Sequence, residues 1–576
     1  MRMNSILLLS VLFVQMFSSC NDNENETNIP VVEKEVSYPH RYYIDPENGA
    51  YYNTGHSPSQ AWESMNRFLE RTWQPGDTIL IKRGTIYEGS ITLKGSGAYG
   101  KPIVLGAYGD ENLPLPEIRA GGKATDAVLI RNVEYWELHD LKITNKGTEP
   151  LPKSVGIDIV ADNIPGGIMN HIHIKRCVIE DIYGTPTHHV GGGGAGVGFY
   201  NVIANSSPSS FNDILIEDCH FLNCQRDGIK GYIATGDRAY RKANTNFVIR
   251  GNLFEGIPGD QIVINGCDGA IVEHNIVRNC LEGGFSPEGA EFPAEASAAI
   301  WCIHSDNTIF RYNLVQDLKA TWDGEAFDCD QNCVNTLFEY NISYNNVGGW
   351  FLLCPLDAYF NKGFAGHSGT IVRYNVSIND GLRDYPKEDG SIHSATIDVC
   401  GRVVNAHFYN NTIIKTKSAT QNYDNTGIIF ADYMNLPNSL IFTNNIFYNT
   451  TGKLIQTKYR VSSAHRNSDK GAKWFWQQNA GVCALLYGVN RINYGTGEYN
   501  SGNIDVNPEF VKLVEDFVQN NQFIDKEEVL NGLKLATGSP CIGTGTQVND
   551  GGFFPITNDL WGNPVGNKNN IGAYNH

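Results

Sequence analysis

One short motif recurs along the middle of the chain and limits what the chain can fold into. Alternating apolar residues are followed by a polar pair, an asparagine and two more apolar residues, as in residues 247–254. The asparagines of successive copies are Asn252, Asn275, Asn313, Asn341, Asn375, Asn411 and Asn445, separated by 23, 38, 28, 34, 36 and 34 residues. Two earlier copies carry Cys177 and Cys219 in its place. A repeat whose spacing varies only through its loops predicts a solenoid of short strands.

The asparagine has a physical role where two strands meet at a bend. Asparagine tolerates the left-handed backbone conformation that sharp bends require. In coils stacked about 4.8 Å apart, its amide would hydrogen-bond the asparagines above and below. We therefore predict a ladder of left-handed asparagines. β-Propellers and β-sandwiches also consist of strands with period-2 alternation, but a recurring bend asparagine is not one of their features.

This ladder resembles that of right-handed parallel β-helix proteins of the pectate-lyase-like class. Both ends of the chain resemble such proteins too. Residues 74–84 and 100–109 are similar to the first coils of exported bacterial β-helices, and residues 507–510, 538–545 and 571–575 are similar to their last coils. The resemblance covers residues 41–576 and implies an all-β solenoid, but it leaves the activity open, because this fold supports several chemistries.

The sequence also indicates how the solenoid is closed at its ends. Ser57 and Pro58 have the character of a helix start, and Trp62, Met65 and Phe68 follow at helical spacing. We expect this short helix to cover the open N-terminal coil, which would otherwise expose its core. The solenoid is predicted over residues 41–460, followed by an insertion and irregular capping coils over residues 461–576.

The first residues have the features of an export signal. Arg2 precedes an apolar run over residues 6–17, which is too short to span a bilayer. Small residues directly before Cys20 resemble a bacterial lipobox, which implies a signal peptide over residues 1–19 and acylation of Cys20. Residues 20–40 then form a linker, and the acidic stretch 21–26 resembles a surface-export signal. We predict a monomer anchored by lipid in the outer membrane and exposed at the cell surface; an ordinary signal peptide is the alternative.

Charge and cysteine content exclude some functions. The formal net charge is −18, and an acidic chain repels polyphosphate, so a nucleic-acid partner is not expected. The twelve cysteines after Cys20 form no CxxC pair and no cluster with the spacing of metal ligands. We interpret most of them as small buried apolar side chains, with disulfide pairing left open. No cofactor is predicted.

Counting back from the bend asparagines gives a register for the strands before them. In that register Ile229, Ile262, Ile300, Phe327, Phe351 and Ile397 point inward. One outward column consists of Lys230, Val263, Trp301, Asp328, Leu352 and Asp398, and the next of Tyr232, Asn265, Ile303, Asp330, Cys354 and Cys400. A functional site on such a solenoid would be a patch that spans several columns and coils.

The richest patch for chemistry surrounds residues 325–330. Asp328 and Asp330 should share a face about 7 Å apart, and Asp398 should lie about two coils, ~10 Å, from Asp328. Glycoside hydrolysis needs two carboxyl groups, one to protonate the leaving oxygen and one to attack or to activate water. We therefore predict a glycoside hydrolase acting on a complex polysaccharide. The predicted catalytic residues are Asp328, Asp330, Glu325, Asp260 and Asp398, and the predicted substrate-binding residues are Trp301, Lys230, His304, Trp350 and Asn265; Asp323, before Gly324, is interpreted as a turn residue.

Two other functions remain open from the sequence. Polysaccharide lyases of this fold class abstract a proton with a lysine or arginine beside Ca²⁺, and Lys230 with Asp227 and Asp260 as metal ligands would fit that scheme. The compact Asp-Asp-Gly cluster expected of such a lyase is missing from the preceding repeat. A non-catalytic glycan-binding or adhesive surface protein is the third possibility.

Overall fold

The structure is a computed structural model and describes the chain from residue 40 onward. The gaps in this description are residues 163, 165–166, 186–193, 202, 205–206, 234–236, 281–296, 321–322, 356–366, 384–394, 400–402, 418–426, 433–439, 451–455, 461–473, 478–479, 484–497, 502–503, 513–523, 549, 567–568 and 576. Cys20 and the predicted signal peptide lie outside the described residues, as does Cys400 of the second outward column.

The strands wind through three long sheets, which we number 1 to 3 in the order in which the chain first enters them. Sheet 1 contains Arg41–Ile44, Thr78–Lys82, Ile103–Tyr108, Trp136–His139, Ile168–Lys175, Ser210–Glu217, Asn244–Arg250, Ile271–Glu273, Ile309–Arg311, Leu337–Glu339, Ile371–Arg373, Ala406–Tyr409, Leu440–Thr443, Trp474–Gln477 and Glu498–Ser501, with Cys267–Asp268 beside Asn244–Arg250. Sheet 2 contains Ile86–Glu88, Glu117–Arg119, Lys142–Asn145, Val178–Ile182, His220–Cys224, Leu253–Glu255, Ile276–Arg278, Leu314–Gln316, Ile342–Tyr344, Val376–Ile378, Thr412–Lys415, Ile446–Asn449, Ala480–Cys483 and Ile504–Asp505. Sheet 3 contains Ile91–Thr92, Asp126–Arg131, Val155–Ala161, Ala195–Asn201, Asp227–Tyr232, Ile262–Asn265, Ile300–Ile303, Glu325–Asp330, Gly349–Cys354, Ile397–Val399, Gly427–Asp432 and Gln456–Arg460.

Neighbouring strands in the three sheets are parallel and come from successive coils, so the fold is the predicted right-handed parallel β-helix. Two short pairs lie outside these sheets: Ile203–Ala204 with Ser207–Pro208, antiparallel, and His367–Ser368 with Val403–Val404, parallel. One continuous apolar core runs through the coils from Tyr42 to Phe447. Aromatic side chains stack along it from coil to coil, as Phe310 does on Phe338 with ring centroids 4.4 Å apart.

The asparagine ladder is confirmed. Each side-chain amide nitrogen donates to the side-chain oxygen of the next asparagine at 2.9–3.0 Å. The series consists of Asn252, Asn275, Asn313, Asn341, Asn375, Asn411 and Asn445. The same oxygen accepts the backbone N–H of the preceding ladder asparagine. Cys219 continues the series, since its N–H donates to Asn252 at 2.9 Å. The ladder therefore satisfies main-chain groups that are buried at the bend.

The expectation that the ladder asparagines adopt the left-handed conformation is wrong. The residue before each one has the positive φ, for example 57° at Tyr312, 59° at Tyr340 and 53° at Tyr374. The chain turns one position earlier than predicted. This leaves the asparagine to direct its amide along the stack of coils.

The N-terminal cap is present, but its helix is broken in two. Pro58–Gln60 forms a single 3₁₀ turn and Asn66–Glu70 a short α-helix, and the Ser57 side chain makes no capping bond. Trp62, Met65 and Phe68 are all buried in the core. The segment thus closes the first coil as predicted.

The last residues do more than close the far end. The helix Lys526–Gly532, capped by Asp525, packs with the segment around Phe554 against the bend tyrosines between sheets 1 and 2. Arg373 donates to the Phe554 carbonyl at 3.0 Å, and the Tyr340 hydroxyl donates to the Asn558 carbonyl at 2.5 Å. The C-terminal region therefore runs back along one side of the solenoid.

The ten cysteines whose side chains are described are all unbonded thiols, and nine of them are buried. This agrees with the interpretation of most cysteines as core residues. Within the described part of the chain, no helix has the length and apolar character needed to cross a membrane.

Candidate active site

The outer face of sheet 3 has the register that the sequence predicts. Lys230 pairs with Val263, Val263 with Trp301, Trp301 with Asp328, Asp328 with Leu352, and Leu352 with Asp398. Phe327 and its equivalents point into the core. Asp328 therefore faces outward, and the column of side chains around it is confirmed.

Two sheet 3 strands in this region each contain two consecutive residues that point inward, a feature that simple alternation does not predict. Ala326 and Phe327 both lie in the core, as do Trp350 and Phe351. Because two neighbours share the inner face, Glu325 and Asp328 on either side of the first pair both face outward.

The strand Glu325–Asp330, which we call the acidic strand, presents three carboxyl groups on the outer face. Glu325 and Asp328 are 2% and 6% exposed, whereas Asp330 is half-buried. The Oδ1 atom of Asp328 is buried and has no hydrogen-bond partner among the described residues. Asp330 accepts the backbone N–H of Gln331 at 2.6 Å. A buried carboxyl oxygen without a partner is costly, which marks this strand as a candidate for function.

Burial and neighbouring negative charges raise the pKa of the Asp328 and Asp330 carboxyl groups. The pKa of Asp328 is raised well above its usual range, first by burial and then by the charges of Asp330, Cys329 and Glu325. Burial also raises the pKa of Asp330 to about 8, and the charge of Asp323 adds to the effect, although the Gln331 hydrogen bond opposes it. A carboxyl group that is still protonated at neutral pH is able to act as a general acid.

The sequence assigns Asp323 to a turn, and the structure also places it near the carboxyl groups of the acidic strand. It has a φ of 29° just before the acidic strand, and its carbonyl accepts a hydrogen bond from Arg383. Its side-chain charge raises the pKa of both Asp328 and Asp330, so it lies near them. Asp323 and Asp330 are the half-buried carboxylates of the run 323–330, while Glu325 and Asp328 lie deeper.

A closed group of ion pairs adjoins the acidic strand. The Lys230 ammonium lies 2.8 Å from Asp227 and 3.2 Å from Asp260, and one Arg226 nitrogen contacts the same two carboxylates at 2.8 and 3.1 Å. Asp260 also accepts the Ala298 N–H at 3.2 Å. All four side chains are at most 5% exposed. The two positive and two negative charges therefore compensate each other inside the protein.

Among the predicted substrate-binding residues, Trp301 and Asn265 lie on the outer face of sheet 3, whereas Trp350 lies in the core. Trp301 lies half-buried on the outer face, one coil before Asp328, and its Nε1 atom has no hydrogen-bond partner among the described residues. Asn265 faces outward in the neighbouring column and donates to the Gly231 carbonyl at 3.1 Å. Trp350 is completely buried and packs against Phe351 and Phe408, so a sugar-binding role for it is not supported.

A segment that follows Tyr232 borders the acidic strand. Arg238 donates to both carboxylate oxygens of Asp306 at 2.7 and 2.5 Å and to the Asn332 carbonyl at 2.9 Å, which ties the segment to two later coils. His304 lies close by, and its pKa is lowered to about 4 by burial and by the charges of Arg241 and Arg238. His304 is therefore neutral at physiological pH.

The outward column also extends towards the N-terminus. Asp158 pairs with Gly198, which pairs with Lys230. Burial, assisted by the charge of Asp126, raises the pKa of Asp158 to about 7. Tyr200 and Tyr232 stack beside this column with ring centroids 4.9 Å apart. Asp158 and Tyr200 lie in coils before those that the register covers, so counting back from the bend asparagines did not reach them.

Comparisons with known proteins give a consistent fold. A lacto-N-biosidase from Bifidobacterium longum subsp. longum is 23% identical over 92% of this chain. The GH136 lacto-N-biosidase from Eubacterium ramulus superimposes with a TM-score of 0.52 and 22% identity, covering 77% of this chain and 67% of that one. The parallel β-helix is shared. A mannuronic-acid-specific polysaccharide family 6 lyase from human gut microbiota superimposes with a TM-score of 0.50 and 17% identity, covering 81% and 91% of the two chains.

The likeness to the Bifidobacterium enzyme is partial. The chain spans 36% of the length of that enzyme. No protein-family model matches the chain. The comparisons therefore show the fold, and the activity has to be argued from the residues of this chain.

Proposed function

We propose that this chain is a glycoside hydrolase whose active site is the outer face of sheet 3 around the acidic strand. The observation that carries the proposal is the row of carboxyl groups there, in which Asp330 is half-buried and has a pKa raised to about 8. Hydrolysis of a glycosidic bond requires a protonated carboxyl group next to a second, ionised one. The likeness to a lacto-N-biosidase over most of the chain supports hydrolysis.

The exposure of each carboxyl group suggests which one acts as the general acid and which one acts as the nucleophile or base. Asp330 is accessible from the surface and holds a proton at neutral pH, so it donates that proton to the glycosidic oxygen as the bond to the sugar breaks. Asp323 is also half-buried and supplies the ionised carboxylate that attacks the anomeric carbon or takes a proton from water. Asp328 lies beneath them, where its burial maintains a poorly solvated environment. Trp301, one coil earlier, offers a flat apolar surface for a sugar ring.

The contacts of Lys230 argue against the lyase alternative. A lysine that abstracts a proton needs a free lone pair aimed at the substrate, but the Lys230 nitrogen is directed at the Asp227 and Asp260 carboxylates, 2.8 and 3.2 Å away. Those carboxylates also neutralise Arg226, so the cluster has no excess negative charge with which to hold Ca²⁺. Asp260, with its oxygens bound in this way, is better placed to support the site than to react.

We also propose that the protein is held at the outer membrane, facing outward, through acylated Cys20. This rests on the small residues before Cys20 and the acidic stretch after it. Metabolic labelling of the producing bacterium with a radioactive fatty acid would test it. The wild-type chain should incorporate label and a Cys20→Ser variant should not.

The activity is tested with a panel of glycans that includes lacto-N-biose attached to a chromogenic leaving group. Release of reducing ends is measured together with ultraviolet absorbance from unsaturated uronides. We expect reducing ends without new absorbance, and Asp323→Asn and Asp330→Asn should each lose about 10²–10⁴-fold in rate. Asp140→Asn, at a surface carboxylate that pairs with Arg176, is the matched control and should keep full activity. New absorbance would show a lyase, and binding without cleavage would show an adhesin.

A further inference from the structure

Three thiols meet in the core directly beneath the acidic strand. Cys302 and Cys329 lie opposite each other in neighbouring sheet 3 strands, and Cys333 follows just after the acidic strand. The Cys302 sulfur lies 3.8 Å from that of Cys329 and 3.7 Å from that of Cys333. The three sulfurs all lie within 4.8 Å of one another and are completely buried. The sequence spacing of these cysteines concealed the group, because winding of the coils brings it together.

These separations match those of a metal site with thiolate ligands. Tetrahedral zinc with Zn–S bonds of about 2.3 Å places neighbouring sulfurs about 3.8 Å apart. A disulfide would instead require about 2.05 Å. Two of the three sulfur pairs therefore already have the spacing of an edge of such a tetrahedron, and no pair is bonded.

The next coil brings a buried histidine to Cys333. Ser368 donates its backbone N–H to the Cys333 carbonyl at 3.1 Å, which places His367 beside Cys333. His367 is 1% exposed, and its Nδ1 atom has no hydrogen-bond partner among the described residues. A buried ring nitrogen without a partner requires an explanation, and coordination of a metal ion would provide one.

The other ring nitrogen sets the tautomer that a metal needs. Nε2 of His367 lies 3.1 Å from the Thr370 hydroxyl, which in turn lies 3.7 Å from the Cys329 sulfur. If Nε2 carries the proton and donates it to Thr370, then Thr370 donates to the Cys329 sulfur. This relay leaves a lone pair on Nδ1, and it has the form of the outer hydrogen bonds that orient metal-bound histidines.

We propose that Cys302, Cys329, Cys333 and His367 bind one zinc ion in the core of the β-helix. The three thiols each release a proton when the ion binds, and the neutral imidazole completes a closed four-ligand set of the structural type. The ion would join three successive coils. Because Cys329 lies between Asp328 and Asp330 in the acidic strand, it would also fix the backbone that presents both carboxyl groups.

The test begins with the full-length wild-type protein, produced in zinc-containing medium and purified without chelators. Elemental analysis should find one zinc per chain. Replacement by Co²⁺ should produce the visible bands of tetrahedral cobalt and an ultraviolet thiolate-to-cobalt band. Mass analysis of the denatured protein should find the three cysteines reduced. Less than about 0.1 metal per chain together with no cobalt bands, or a disulfide between any two of the three cysteines, would overturn the proposal.

Variants separate ligation from packing. Cys333→Ala and His367→Ala should each weaken zinc retention against a competing chelator by about 10-fold or more, whereas Cys280→Ala should retain zinc like the wild type. Cys280 is an equally buried core cysteine outside the group, so it controls for the cavity. If the ligand variants do not fold, the metal content and cobalt spectrum of the wild type still decide the question. Equal zinc retention in all three variants would contradict the assigned ligands.

Discussion

Asn341 lies in the middle of the asparagine ladder, and replacing it with alanine measures what the ladder contributes. Its side-chain oxygen accepts the backbone and amide N–H groups of Asn313, each at 3.0 Å. Its amide nitrogen donates to the Asn375 side chain and the Phe310 carbonyl, also at 3.0 Å. Alanine removes all four bonds and leaves the Asn313 N–H and the Phe310 carbonyl buried without these partners. At about 1–3 kcal/mol for each such group, the free energy of unfolding should fall by about 2–6 kcal/mol.

Equilibrium unfolding in urea, followed by far-ultraviolet circular dichroism, measures this loss. Hydrogen exchange adds a local reading, because a coil in a solenoid depends mainly on its neighbours. The control is Asn212→Ala. Asn212 also bonds asparagine amides in adjacent coils, but on the solvent side of sheet 1, where water replaces the lost bonds. A loss at Asn341 below about 0.5 kcal/mol, or no larger than that at Asn212, would refute the reasoning.

Four further outcomes follow from the site. The proton on Asp330 is lost as the pH rises through about 8. We therefore expect kcat/KM to be constant below that pH and to fall about tenfold for each pH unit above it. An increase in kcat/KM as the pH passes 8 would exclude Asp330 as the acid. Trp301→Ala should raise KM for the glycan more than it lowers kcat, and Trp301→Phe should restore most of the affinity, as steady-state kinetics would reveal. Trp350→Ala should cost about 3–5 kcal/mol of stability in urea unfolding and leave KM unchanged, whereas a changed KM would place Trp350 at the substrate. Lys230→Met should lower the free energy of unfolding by about 3–5 kcal/mol, and adding Asp227→Asn should recover part of that loss. If Lys230→Met is as stable as the wild type, the ion pairs contribute little to stability.

The fold was predictable because its signals are periodic. A ladder asparagine returns once per coil, and counting back from it fixed the register that pairs Trp301 with Asp328. The position of the bend was not predictable in the same way. Histidine, tyrosine and asparagine all occupy the left-handed position before the ladder, so residue type alone did not identify it.

The site was predicted less completely than the fold. Strict alternation of inward and outward residues fails where Trp350 and Phe351 both enter the core, and for that reason Trp350 was assigned to the surface. Asp323 was assigned to a turn because it precedes a glycine, and its effect on the acidic strand depends on how the chain bends at that point. The pairing of Lys230 with Asp260 joins two coils. Local sequence carries no sign of such a contact.

A glycan-cleavage assay is the most direct test of whether the acidic strand is the active site of a hydrolase. Lacto-N-biose glycosides and other glycans are incubated with the wild type, Asp330→Asn or Asp140→Asn. Reducing ends and ultraviolet absorbance are recorded together. We expect the wild type and Asp140→Asn to release reducing ends without new absorbance, and Asp330→Asn to release almost none. Undiminished cleavage by Asp330→Asn, or products with an unsaturated uronide, would contradict it.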